Sequence, residues 1–179
     1  MVNSVILENE SDLLDRSKNG DSEAFERLLN THYDLIYGII YKHCGCSHDT
    51  EDILQESFIK ASSGIQNYRG EASFKNWLCK IALNQAEDLR RKTIRRNNLL
   101  DNYEHPENSP SHDPQWEQIN HILQKLKPKE RSAILLVFEQ GLSHAEAAAL
   151  CGCSETTISW RIFIGKQKIK GWLSKEKLS

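Results

Sequence analysis

The chain has 179 residues, about a quarter of them charged, with a formal net charge of −2 and five cysteines. That length suits one medium domain or two small ones, and no apolar run approaches the roughly 20 residues a membrane helix needs. An odd cysteine count without a CxxC framework argues for reduced thiols, and the opening MVNSVILENESD lacks the basic start and apolar stretch of a signal peptide, so a cytoplasmic location without membrane insertion is expected.

The small net charge hides an uneven distribution. Lys and Arg number 5 against 12 Asp and Glu in residues 1–60, 8 against 3 in 61–98, 3 against 6 in 99–130 and 7 against 4 in 131–179. Two separate basic segments can each neutralise phosphates, whereas the acidic ones must face solvent or a basic protein partner.

The spacing predicts a short first helix from a Ser11 cap to a Gly20 stop. A long second one follows an Asp21 cap, with Phe25, Leu28, Leu29, Ile36, Ile39 and Ile40 at helical period. After the loop CGCSHD, Asp49 is a plausible cap for a third helix ending near Ser63 and Gly64. Ser73 then caps a fourth, whose one face is Phe74, Trp77, Leu78, Ile81, Ala82 and Leu89 and whose end, LRRKTIRR, is strongly basic. Residues 98–114 hold three of the four prolines in a polar, turn-forming stretch and read as a linker between domains at 1–97 and 115–179. Beyond it, Trp116, Ile119, Ile122, Leu123 and Leu126 mark a helix, and Pro128 opens another that stops at Gly141. Ser143 and Glu146 form a capping box for a short Ala-rich helix, and Ser154 caps a longer last one carrying Ile158, Ile162, Ile169 and Trp172. No strand pattern appears, so the expected fold is all-α: two small helical domains joined by a flexible linker.

From Ser143 to Lys168 the layout is that of a helix-turn-helix. Ala148 is the small residue where the second helix crosses, Gly152 supplies the left-handed turn and Ile158 the aliphatic lock. In this register Cys151 and Cys153 flank the turn and point toward the small core as apolar thiols. Two cysteines spaced C-x-C cannot complete a four-ligand metal site. The second pair, Cys44 and Cys46, has His43 and His48 beside it, which leaves a metal or thiol sensor open as an alternative. A packed or solvated loop is the plainer reading.

Together these motifs resemble the sigma-70 transcription initiation factors, specifically the small extracytoplasmic-function group. GDSEAFERLLNTHYDLIY is similar to the family's first conserved region, DTEDILQESFIKA to its polymerase-binding region and YRGEASFKNWLCKIALNQAEDLRRK to its promoter-melting region. LKPKERSAILLVFEQGLSHAEAAALCGCSETTISWRIF is similar to the region that reads the minus-35 element. The resemblance implies a non-enzymatic subunit without catalytic residues, cofactor or metal. Its partners would be core RNA polymerase, promoter DNA both duplex and melted, and an anti-sigma factor.

It also implies site residues. Asp49, Asp52, Ile53 and Glu56 share a helix face by their spacing, and with Gln55 they would dock on the polymerase clamp. Capturing bases that leave a duplex takes aromatic platforms, an amide for base edges and cations for the backbone. Gly64, Tyr68, Lys75, Trp77, Lys80 and Asn84, followed by Arg90, Arg91, Lys92, Arg95 and Arg96, would serve the minus-10 element. Glu155, Thr156, Thr157, Ser159, Trp160, Arg161, Phe163 and Lys166 would face the minus-35 major groove or its phosphates, with Arg161 the first choice for a bidentate guanine contact. The chain departs from the family at Ser159 and Ile164, positions often basic, at Trp160 in place of a small residue, and at Ala147 in place of a larger aliphatic. The promoter sequence therefore does not carry over from relatives. The competing class is a conventional helix-turn-helix regulator, which would leave the acidic face and the Tyr68, Trp77 and Asn84 set without a purpose.

Overall fold

Residues 9–97 and 114–176 are described from a computed structural model. They form eight α-helices and no strand: α1 Glu10–Lys18, α2 Ser22–Cys44, α3 Ser47–Gly64, α4 Phe74–Asn97, α5 Pro114–Gln124, α6 Pro128–Ile134, α7 His144–Cys151 and α8 Glu155–Glu176. A 3₁₀ turn, Ile65–Asn67, extends α3, and a π-helical turn, Leu135–Glu139, extends α6 to just short of Gly141. None of the described helices is long and apolar enough to cross a membrane.

Most caps act where the sequence puts them. The Asp21 carboxylate accepts from the Ala24 N–H at 3.0 Å, and the Ser73 hydroxyl accepts from Asn76 at 3.3 Å. Ser143 and Glu146 close a reciprocal box at the start of α7. Two helices begin earlier than expected. Asn9 caps α1 in place of Ser11, its side chain accepting from the Ser11 N–H, because an equally good cap lies two residues upstream and puts Glu10 and Asp12 in the favourable first turn. Cys46 caps α3 in place of Asp49, its thiol accepting from the Asp49 N–H at 3.3 Å. The chain leaves α2 through Gly45 in a left-handed turn and re-enters helix at once, so Asp49 already lies inside the first turn of α3.

Helices α1 to α4 pack around Leu28, Ile36, Ile39, Ile40, Phe74 and Leu78, all essentially inaccessible to solvent. Each such side chain contributes about 1.5–3 kcal/mol of burial. In the C-terminal half α6 and α7 both pack on α8 around Leu136, Ala147 and Ile158. An ion pair ties α8 to α6: Lys168 Nζ lies 2.8 and 2.9 Å from the two oxygens of buried Glu130.

The sequence shows no contact between the two halves, but the structure does. Helix α2 meets α5 and α6, α4 meets α7, and buried residues from both halves form one continuous apolar cluster.

Candidate nucleic-acid and protein interfaces

On the N-terminal half an open cleft of about 530 Å³ lies between the end of α3 and the middle of α4. Of the expected minus-10 residues it gathers Gly64, Trp77, Asn84 and Arg91 on its lining. Trp77 is half-buried, and its ring forms the wall close to Gly64, where a methyl group would meet it at 3.4 Å in ordinary van der Waals contact. Tyr68 packs against the same indole with ring centres 5.3 Å apart and stands edge-on to Phe74 at 6.0 Å. Its hydroxyl donates to the Ala72 carbonyl at 2.5 Å, which anchors the following loop. Asn84 is exposed, so its amide is free to meet a base edge. Lys60, Asn67 and Gln85 also line the cleft. Sequence reasoning missed them because each looks like an ordinary solvated residue; the spacing of Ile81, Asn84, Gln85 and Asp88 along one side of α4 is the signal that could have found Gln85.

The cations divide into two kinds. Arg90 grips Glu87 with two hydrogen bonds, 3.0 Å from Nε and 2.8 Å from a terminal nitrogen, and Arg91 approaches the same carboxylate at 3.7 Å. The bond from Arg90 holds the Glu87 carboxyl below its ordinary range, so this acid stays ionised beside the cleft. Lys92 and Arg95 are exposed; the side chain of Arg96 lies outside the described residues. Lys80 is exposed too, but neither it nor half-buried Lys75 lines the cleft. The hydrogen bonds to Ser143 hold the Glu146 carboxyl of α7 below its ordinary range, and Lys75 adds a smaller attraction in the same direction.

The acidic face of α3 is rotated from the one the spacing suggests. Ile53 is 2% exposed and belongs to the core, so it cannot contact a partner, and Asp49 is half-buried. The solvent-facing set is Asp52, Gln55, Glu56 and Ile59, again at i, i+3, i+4 and i+7, with Ile59 55% exposed as its apolar member.

In the helix-turn-helix, Gly152 adopts φ 59° and ψ 43°, the left-handed conformation the turn requires. The Ser154 hydroxyl accepts from the Thr157 N–H at 3.2 Å and starts α8. Trp160 and Phe163 stand 61% and 58% exposed, and Glu155, Thr156 and Lys166 are exposed with them. Lys166 Nζ lies 4.2 Å from the centre of the Phe138 ring. The other expected contacts are engaged internally: Ser159 Oγ bonds His144 Nδ1 at 2.8 Å, and Arg161 donates to the Cys153 sulfur at 3.5 Å. Arg161 would have to leave Cys153 to reach a base.

The histidines and cysteines do not converge. His43 is buried and shares a hydrogen bond with Ser132 at 3.0 Å, Cys46 caps α3, and His48 is exposed 3.8 Å from Asp52. Among the described residues no group of three His, Cys, Asp or Glu side chains is placed to hold a metal ion. Burial pushes the Cys44 and Cys79 thiols up to about 12, far from the range of a reactive thiolate.

Residues 28–96 match the family model for sigma-70 region 2 and residues 116–169 that for sigma-70 region 4. The chain is 34% identical to an ECF RNA polymerase sigma factor SigE of Mycolicibacterium smegmatis across 87% of its own length, and spans 65% of the length of that relative. It is 28% identical to an RNA polymerase sigma-H factor of Pseudomonas aeruginosa, covering 90% of this chain and 92% of that one. In fold it is similar to the sigma factor RpoE from Bartonella quintana, solved with the anti-sigma factor NepR: the TM-score is 0.71 at 24% identity, over 84% of this chain and 96% of the other.

Proposed function

Because the chain belongs to the sigma-70 family, in its extracytoplasmic-function group, we propose that it is a cytoplasmic transcription initiation factor that brings core RNA polymerase to specific promoters and helps melt the minus-10 element. Residues 1–97 form the polymerase-binding and melting domain, 98–114 the linker and 115–179 the minus-35-reading domain. The observation that carries this reading is the cleft that brings Trp77, Asn84, Gly64 and Arg91 together. An aromatic wall, an amide and a cation are the elements needed to hold an extruded base and its phosphate, and each stacked base is worth about 1–3 kcal/mol.

The roles follow from the placement of each group. Asp52, Gln55, Glu56 and Ile59 face the clamp of the polymerase, with Asp49 at the edge of that face. Tyr68 and Trp77 supply the stacking surface, and Asn84 reads the base. Arg91, Lys92 and Arg95 follow the phosphates, joined by Arg90 once it exchanges Glu87 for DNA. On α8, Thr156, Trp160 and Phe163 enter the major groove, where apolar side chains meet thymine methyl groups. Arg161 and Lys166 take guanine or phosphate. The protein needs no chemistry of its own, since bond formation belongs to the polymerase it directs. An anti-sigma factor as regulator follows from family membership.

Run-off transcription with purified core polymerase and a promoter library tests the proposal. Initiation at a defined subset of promoters is the expected result. Initiation no more specific than with core alone, in the absence of any anti-sigma protein, would overturn it.

A further inference from the structure

The cleft between α3 and α4 carries an acid that the roles assigned so far leave idle. Asp88 lies on its lining and is exposed, and among the described residues its carboxylate makes no ion pair or hydrogen bond. Its neighbour Glu87 differs, being held by Arg90 and Arg91. A negative charge that faces a polyanion opposes binding unless it meets hydrogen-bond donors there. On a DNA strand those donors sit on the bases alone, since phosphates and deoxyribose within the chain offer only acceptors. An acceptor-only group in this cleft is therefore suited to a base edge and to nothing else on the strand. Its place along the helix says which base. Asn84 and Asp88 are one turn apart on the same side of α4, about 6 Å along its axis, and Trp77 lies about 10 Å before Asn84. Stacked nucleotides advance about 3.4 Å per step and splayed ones further, so one turn of helix matches one step of a melted strand. At about 530 Å³ the cleft has the size of sites that hold drug-sized ligands, about 300–1,000 Å³, which leaves room beyond a single base.

We propose that Asp88 forms a second base subsite, one nucleotide from the base read by Asn84, which accepts a base carrying an exocyclic amine and rejects thymine. The inference rests on the function proposed above. Adenine, cytosine and guanine each carry an amino group on the edge that melting exposes, and an ionised carboxylate accepts from it. Thymine offers there one ring N–H between two carbonyl oxygens, and those oxygens face the carboxylate acceptor to acceptor. The amides of Asn84 and Gln85 donate as well as accept, so they adapt to any of the four bases. Asp88 cannot adapt in this way, which makes it the selective member of the set. Lys60 and Arg91, on the lining of the same cleft, offset its charge toward the backbone phosphates.

The test uses holoenzyme assembled from core polymerase and the full-length chain, with fluorescence anisotropy on single strands selected from a randomised pool and then varied one position at a time. Wild type is expected to show one position at which an amino-bearing base binds at least about tenfold more tightly than thymine. Replacing the amine of that base with hydrogen, as inosine for guanine or purine for adenine, is expected to cost wild type a similar factor and Asp88→Ala nothing. Asp88→Asn, whose amide can also donate to a carbonyl, is expected to bind thymine there as well as the other bases. Asp88 is exposed, so neither substitution disturbs the core. The proposal is overturned by a preference that survives Asp88→Asn unchanged, by the absence of any position that rejects thymine, or by a gain in affinity for all four bases alike in both variants, which would make Asp88 a repulsive charge only. Failure of every form to bind single strands sinks the proposed melting role, and the subsite with it, whereas sequence-specific binding that is indifferent to Asp88 sinks the subsite alone.

Discussion

A thiol-sensing role would rest on Cys44 and Cys46; burial pushes the Cys46 thiol up, and it pushes Cys44, like the core residue Cys79, up to about 12 from an ordinary 9. A rise of that size leaves about a thousandfold less thiolate than at an exposed cysteine. Alkylation with iodoacetamide at pH 8, followed by mass spectrometry, is expected to label Cys153 at least a hundredfold faster than Cys44 or Cys79 in the native protein, and all alike in denaturant. His43 makes the complementary case. Burial, aided by the nearby Arg131, pushes its pKa from 6.5 down to about 4, so the folded chain holds it neutral. Between those two values the unfolded chain takes up a proton that the folded chain refuses. The stability from this site is therefore complete above about pH 6.5 and is lost as pH falls toward 4, roughly 3 kcal/mol in total. Ionised Asp21 and Glu87 also lose stabilisation in acid, so the comparison needed is wild type against His43→Gln: urea midpoints are expected to converge as pH drops from 7 to 4.

Helix boundaries were largely legible because caps act over three or four residues and leave a signature in the chain itself. Asp21, Ser73, Ser143, Gly152 and Ser154 all act as their types and spacing imply. The working face of α3 was harder to read. Two faces of an amphipathic helix differ by a modest rotation, and Ile53 and Ile59 are the same residue type, so only packing could assign one to the core and the other to solvent. Asp52→Ala and Ile59→Asp are each expected to weaken binding of core polymerase by about 1–2 kcal/mol without loss of minus-35 binding by the isolated chain, whereas Arg161→Ala does the reverse. Fluorescence anisotropy with labelled polymerase and labelled duplex separates the two. Two left-handed glycines give a test of turn chemistry. A Cβ on Gly152 meets nothing within 4 Å, so Gly152→Ala costs only the backbone conformation, about 1 kcal/mol. A Cβ on Gly45 would lie 2.7 Å from the Gln124 amide, so Gly45→Ala displaces that amide from Lys42 as well and is expected to lower the thermal midpoint further.

For the molecule as a whole, the interface between the halves left no trace in the sequence for a definite reason. Two of its acceptors are backbone carbonyls, those of Lys42 and His43, and every residue has one, while its side-chain pairs, Lys42 with Glu139 and His43 with Ser132, lie about 90 residues apart in the chain, where no local spacing joins them. The electrostatics were more legible, since alternating acidic and basic segments reappear as an acidic face on α3 and a basic end on α4. Removing one phosphate-binding cation should flatten the dependence of log affinity on log salt by roughly 0.7–0.9. Lys92→Ala and Arg95→Ala are expected to do so in full for minus-10 single strands, whereas Arg90→Ala should do so less, because binding through Arg90 must first break its bonds to Glu87. Equal slope changes in all three would argue against that competition. The same carboxylate has a consequence for how a promoter is found. A genome offers on the order of a million or more competing non-specific sites, and time spent on each lengthens the search. On the proposed function, a Glu87 that pairs with Arg90 and Arg91 until a melted strand draws them away would keep the protein from lingering on ordinary duplex, so that a residue opposing binding would shorten the path to the right site.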